Sequence, residues 1–179
     1  VRDIHRDYIL AGAELITTNT FSTSRDILQR EGLSEQTAHI NKQSVTLAMD
    51  ARKRYAAEET ITVAGSIGAA NTGTPEIIHS DALANYREQV QILAEAGVEL
   101  IILEMFTRTA DLNAAIEAAT ETGLSIWIGL SCIDHDGKLE LGIRGYPQGE
   151  SITDAVMVSS SPYVKAFCIM HSPPQVTSA

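Results

Sequence analysis

Apolar and polar positions along the chain fall into a repeating cassette. In Glu95–Phe106, E-A-G-V-E-L-I-I-L-E-M-F, an Ala-Gly pair closes a helical pattern, Val98–Leu103 is almost wholly apolar, and a single carboxylate, Glu104, stands at the end of the run. Short apolar runs of this kind read as strands buried on both faces, and Gly97 suits the left-handed residue that ends a helix. Ala11–Phe21, A-G-A-E-L-I-T-T-N-T-F, repeats the cassette: set against Ala96–Phe106, its Ala, Gly, Glu, Leu, Ile and Phe positions coincide, and Asn19 falls on Glu104. A weaker copy occupies Thr122–Cys132. Repeated alternation of buried strands and helices implies a parallel sheet with helical crossovers. In such sheets ligands sit beyond the carboxyl ends of the strands, where Asn19 and Glu104 lie.

Taken in order, the pattern predicts a helix ending near Leu10 with Val1, Ile4 and Tyr8 at helical spacing, then strand one at Glu14–Thr20, whose polar, β-branched tail suits a ligand-facing end. Ser34 is an expected N-cap for a helix running to about Tyr55 with Ile40, Leu47, Ala48, Ala51 and Tyr55 inward. Strand two is Ile61–Ile67. The glycine-rich Gly65–Gly73 lacks the Gly-Lys-Ser/Thr ending of a phosphate loop and reads as a tight connection that lets backbone approach a ligand. Asp81 is expected to cap a helix burying Tyr86, Val90 and Leu93. Strand three is Glu99–Met105, a helix follows at Thr109–Glu121, and strand four is Ser125–Cys132. Ile133–Gly149 breaks the rhythm: Asp136-Gly137 is a strong hairpin signal, and the stretch reads either as a lid or substrate-contacting loop or as a surface hairpin. A helix at Ile152–Ser160 leads to strand five, Val164–Met170, and the His171-Ser172-Pro173-Pro174 loop returns to the same face. This is one unit per roughly 35–40 residues. A closed eight-unit barrel needs about 250 residues, so the expectation is either half a barrel plus a stub or a complete open sheet, in one domain.

The composition, 44% hydrophobic and 20% charged, is that of a globular domain. A net charge of −10 argues against nucleic acid as a partner. The longest apolar run is too short to span a membrane, and no secretory leader is visible. Because the chain starts at Val1, an upstream segment is expected. Cys132 and Cys168 sit in apolar runs and read as buried free thiols of a reducing compartment, the cytoplasm. No Ser-His-Asp order, H-E-x-x-H or C-x-x-C motif is present. Glu104 reads as a ligand-binding carboxylate or as a helix-start charge, Asn19 as a mouth residue or a turn residue, and His171 as a metal ligand or an exposed loop histidine. His5, His39, His79 and His135 carry no assignment. Ser131 faces the mouth only if strand four keeps the register of strand three.

These motifs resemble one known family. H-R-D-Y-I-L-A-G-A-E-L-I-T-T-N-T-F at His5–Phe21 is similar to the second-strand motif of the homocysteine S-methyltransferases, V-A-G-S-I-G at Val63–Gly68 to their third, and A-G-V-E-L-I-I-L-E-M-F to their fourth. D-G-K-L-E-L-G and G-E-S-I-T-D-A follow in order, so the resemblance covers essentially the whole chain. It implies a (β/α)8 TIM-type barrel with about five of its eight parallel strands present here, the first unit and the last units being absent. It implies methyl transfer from a small donor to the sulfur of homocysteine or a similar thiol, in methionine biosynthesis, with zinc holding the sulfur as a thiolate. Glu104 would then hold the substrate's amino group, and Thr18, Asn19 and Thr20 would line the same mouth.

The metal motif departs from the family's. The Gly-x-Asn-Cys segment after strand six is here Cys168-Ile169-Met170-His171, and the family's later cysteine pair has no counterpart in the chain. Three readings stay open: part of a longer enzyme with His171 as a zinc ligand, a divergent relative without zinc, or a piece with no activity of its own. The alternative to a methyltransferase is therefore a non-catalytic α/β domain binding an amino-acid-like ligand. Cys168 and His171, three apart on a strand, would not converge, whereas Cys132 on the neighbouring strand would approach His171. An incomplete barrel also leaves Glu14–Thr20 and Val164–Met170 as open edges, from which self-association is expected.

Overall fold

The two main copies of the cassette fold alike. Helix α1 (Arg2–Leu10) and helix α4 (His79–Ala96) are each followed by a glycine in the left-handed region, Gly12 at φ 95° and Gly97 at φ 100°, a conformation open to glycine at little cost. Strands β1 (Leu15–Thr17) and β3 (Leu100–Phe106) follow. The Glu of the second cassette serves the end of the strand remote from the mouth: Glu99 accepts the Val63 N–H (3.0 Å) and pairs with Arg52 (2.7 Å).

The computed structural model describes residues 1–56, 61–69, 79–143 and 146–174, without the side chains of 79, 80 and 146–148. Five strands run parallel in the order β1, β2 (Thr62–Gly68), β3, β4 (Ser125–His135) and β7 (Val164–Met170). From the far end of β4 an antiparallel extension, β5 (Lys138–Ile143) and β6 (Tyr146–Ser151), folds back. Asp136 (φ 53°) and Gly137 (φ 76°) make its turn, as the Asp-Gly pair predicts.

Lateral register fixes what each face carries. Ile16, Val63, Ile101, Leu103, Ile126 and Ile128 face α3 (Thr37–Tyr55), α4 and α5 (Thr109–Thr120) in the main core. Ala64, Leu100 and Ile102 form a separate cluster with Leu15 and Trp127 on the opposite face, which no helix of the described residues covers. Burial on both faces is why these strands read as unbroken apolar runs.

Several expectations are corrected. Strand one is shorter than Glu14–Thr20, because the chain turns after Thr17, and strand four continues to His135 to join the hairpin. A six-residue helix, α2 (Arg25–Arg30), goes unforeseen, being too short to show a period. Ser34 does not cap α3: it lies in a 3-10 turn, and its carbonyl accepts the Thr37 hydroxyl. Asp81 lies in the first turn of α4, not ahead of it. The buried face of α3 is Thr37, Asn41, Ser44, Val45, Ala48 and Ala51, while Tyr55 is exposed. Polar residues are tolerated there because they are satisfied: Asn41 donates to Thr23 O and Thr37 O and accepts from Thr23 Oγ1 and Gln89 Nε2. On α1 the buried residues are His5 and Ile9, and Val1, Ile4 and Tyr8 turn outward. The remainder of the glycine-rich stretch, 70–73, lies outside the described residues, as do 144–145 of the 133–149 excursion.

Among the described residues β1 and β7 each have a partner strand on one side only. Phe167 and Ile169 of β7 are each 41% exposed, and Met157 on α6 (Ile152–Val158) is 72% exposed. No helix of the described residues is long and apolar enough to cross a membrane.

Candidate functional site

The carboxyl end of β3 is where the sheet departs from regularity. The β3–β4 register runs from Leu100↔Ser125 to Leu103↔Ile128 and resumes at Phe106↔Leu130, leaving Glu104 and Met105 as a bulge. Met105 sits at φ 64°, a conformation uncommon for a non-glycine residue. On its other side β3 stays in register, with Gly68 opposite Glu104. That pairing puts Glu104 on the face of Ala64, Leu100 and Ile102, at its carboxyl end. Glu104 is half-buried, and no hydrogen bond or ion pair to it occurs among the described residues. A partly desolvated carboxylate with free acceptor sites suits an ammonium group.

Asn19 reaches the same end from β1 and is exposed, at the position the repeat assigns it. The flanking threonines are engaged differently. Thr18 and Thr20 are buried; their hydroxyls lie 2.7 Å apart, Thr20 Oγ1 donates to Ser66 O, and Thr18 Oγ1 accepts the Ser66 N–H. The Thr20 N–H donates to Thr18 O, closing a tight turn over Asn19. The two threonines thus stitch the end of β1 to β2 and raise Asn19, the one polar side chain of the three that is left open.

Ser131 resolves a condition left open by the sequence. The unbroken β4–β7 register, Trp127↔Ala166 to Ser131↔Met170, keeps Trp127, Gly129 and Ser131 on one face, that of Ile102 and Glu104. Ser131 therefore faces the mouth; its hydroxyl is buried and has no partner among the described residues. Cys132, one residue on, belongs to the helix-facing core and is fully buried. Burial pushes its thiol pKa up, with a hydrogen bond from the Ser172 region pulling the other way. The loop after β7 does come alongside, since the Cys132 N–H donates to Ser172 Oγ (2.8 Å), but His171 is exposed at φ 50°. Cys168, opposite Gly129, lies on the mouth's face. No group of three His, Cys, Asp or Glu side chains is disposed to hold a metal ion among the described residues. A core thiol shifted away from thiolate and one solvent-exposed histidine do not fit a zinc site.

The hairpin is docked at this end. Leu141 is fully buried in the core, and Glu150 of β6 accepts the Thr109 N–H at the start of α5 (2.7 Å). A cleft of about 450 Å³ lies elsewhere, beside β1, between Val1 with Ile4 and Tyr8 of α1 and Leu15, Thr17 and Asn19. Among the described residues it lies along the single-sided edge of β1 beside the exposed face of α1. The chemistry converges instead at Glu104, where an unpaired carboxylate, a bulge and an unpartnered hydroxyl share one face. Met105 and Met170, which shape that spot, carry no signal in the sequence beyond methionine's standing where the resembled motif has asparagine.

This is a protein of parallel α/β-barrel type, with its polar groups gathered beyond the carboxyl ends of the strands. The homocysteine S-methyltransferase family profile matches residues 1–171. Homocysteine S-methyltransferase 3 of Zea mays is 27% identical over 162 residues, 76% of this chain and 47% of that protein. Betaine–homocysteine S-methyltransferase 1 of Mus musculus is 27% identical over 166 residues, 90% of this chain and 38% of that protein. The crystal structure of the homocysteine methyltransferase MmuM from Escherichia coli in its metallated form superposes with a TM-score of 0.79 at 26% identity, covering 94% of this chain and 61% of that one. The chain belongs to the homocysteine S-methyltransferase family, and it spans about two-fifths to three-fifths of the length of these relatives.

Proposed function

We propose that the protein carrying this chain transfers a methyl group to the sulfur of homocysteine or a similar thiol. The observation that carries the reading is Glu104: a half-buried carboxylate, unpaired among the described residues, at the bulged carboxyl end of a strand in a chain of this family. Its oxygens take the substrate's ammonium group, with Asn19 at the neighbouring rim. Methyl transfer forms a sulfur–carbon bond and breaks the bond between the donor and its methyl carbon, and the thiol proton leaves to solvent. The chain's contribution is to fix the sulfur and the methyl carbon in line, which lowers the entropic part of the barrel's task. The names of the relatives point to betaine or a comparable small methyl donor. Zinc activation of the sulfur belongs to the family resemblance, and the described donor set does not form its site. The free cysteines accord with a reducing compartment, and we place the protein in the cytoplasm, as a single α/β domain contributing part of a barrel.

Glu104→Gln keeps the shape and removes the charge. In the full-length protein, homocysteine affinity measured by calorimetry is expected to fall about 10–100-fold, the value of a charge-assisted hydrogen bond, with the melting temperature little changed. Unchanged affinity sinks the reading.

A further inference from the structure

We infer that Met170 is a positioning residue: its thioether holds the backbone of Met105 and so aims the Glu104 carboxylate. The inference rests on the reading of Glu104 as the ammonium site. The bulge takes Met105 out of the β3–β4 ladder, and the acceptor for its N–H is Met170 Sδ, 3.0 Å away on β7. The contact crosses the whole width of β4. It is possible because position 129 has no side chain: a Cβ on Gly129 would stand 2.7 Å from Sδ and closer still to Cε. Three strands thus meet in one contact, Met105 on β3, Gly129 on β4 and Met170 on β7.

Met105 needs such a tie. A long side chain at φ 64° persists only where its surroundings hold it. Gly68 holds the bulge from the β2 side through the ladder pairing with Glu104, and Met170 holds it from the β4 side. A shift of about half an ångström in a binding group is enough to spoil its geometry. Methionine is also a common filler of irregular gaps, and that simpler role makes a different prediction, since filling needs bulk and tying needs an acceptor.

The test compares Met170→Leu, which keeps bulk and removes the acceptor, with Met170→Gln, which places an amide oxygen on an unbranched chain. In the full-length protein Met170→Leu is expected to weaken homocysteine binding about tenfold, the equivalent of one hydrogen bond, with the melting temperature nearly unchanged. Met170→Gln restores affinity to within about threefold. Gly129→Ala, which displaces the thioether, gives the Leu result, and combining it with Met170→Leu adds little further loss. Equal affinities for the Leu and Gln variants, or losses that track the melting temperature, overturn the proposal. Amide hydrogen exchange reads the tie without ligand: Met105 N–H protection is lost in Met170→Leu and kept in Met170→Gln. If that pattern appears while wild type and Glu104→Gln bind homocysteine alike, the tie stands and the ammonium reading falls.

Discussion

His5 is buried on the inward side of α1, and its Nε2 has no hydrogen-bond partner among the described residues. Burial lowers its pKa from 6.5. The ring is therefore held neutral in the fold and protonates more readily once unfolded, so its contribution to stability is complete above pH 6.5 and is lost as pH falls through the folded value. The urea midpoint, followed between about pH 5 and 8, is expected to drop on acidification, and His5→Phe to flatten that part of the profile; an equally steep profile in the variant would assign the slope to other groups. Legibility at this scale was uneven. Asn19 and Glu104 could be placed from the repeat, because strand-end positions follow from counting along a cassette. The left-handed Met105 could not, since a bulge arises from how β3 meets β4 and not from Glu-Met-Phe itself. Ser131's facing likewise waited on strand register, which one residue of slip inverts.

At the scale of elements, a close backbone approach joins the turn after β1 to the end of β2. A Cβ on Gly68 would lie 2.5 Å from the backbone oxygen of Phe21, which cannot yield as a flexible side chain does. Gly68→Ala is expected to cost about 1–3 kcal/mol by overpacking, read as a lower denaturant midpoint at unchanged slope. A neutral result would mean that the Thr18–Ser66–Thr20 stitching gives way easily. The four later parallel strands were legible to within a residue or two at their starts, β2, β3 and β4 because they are buried on both faces and β7 as a mainly apolar run stopped by the Pro-Pro loop. What escaped was set by partners remote in sequence: the polar inward face of α3, acceptable only because Thr23 and Gln89 answer Asn41, and the outward turn of Val1, Ile4 and Tyr8, which helical spacing alone assigns inward.

For the molecule as a whole, the two ends of the parallel sheet set its behaviour in solution. β1 and β7 are single-sided among the described residues, with Ile4, Tyr8 and Leu10 of α1 exposed at one end and Phe167, Ile169 and Met157 at the other. Unpaired backbone beside uncovered apolar side chains favours association, and a net charge of −10 opposes it through repulsion that salt screens. The isolated 179-residue chain is expected to run above monomer mass by light scattering, increasingly so with added salt. A sharp monomer peak with cooperative thermal unfolding would show that these edges protect themselves. The general architecture was legible from alternation and unit length, and the family resemblance supplied the closed barrel of which five strands are seen.

β4 runs without interruption from the parallel sheet into the hairpin, eleven residues from Ser125 to His135. Mechanically the hairpin is a cantilever. Its root, Ser131–Cys132, is clamped by Ser172 on one side and by pairing with the buried Leu141 on the other, and its tip at Asp136–Gly137 stands in solvent. A load on the tip reaches the root as torque, and of the root's two residues Ser131 lies on the face that carries Glu104.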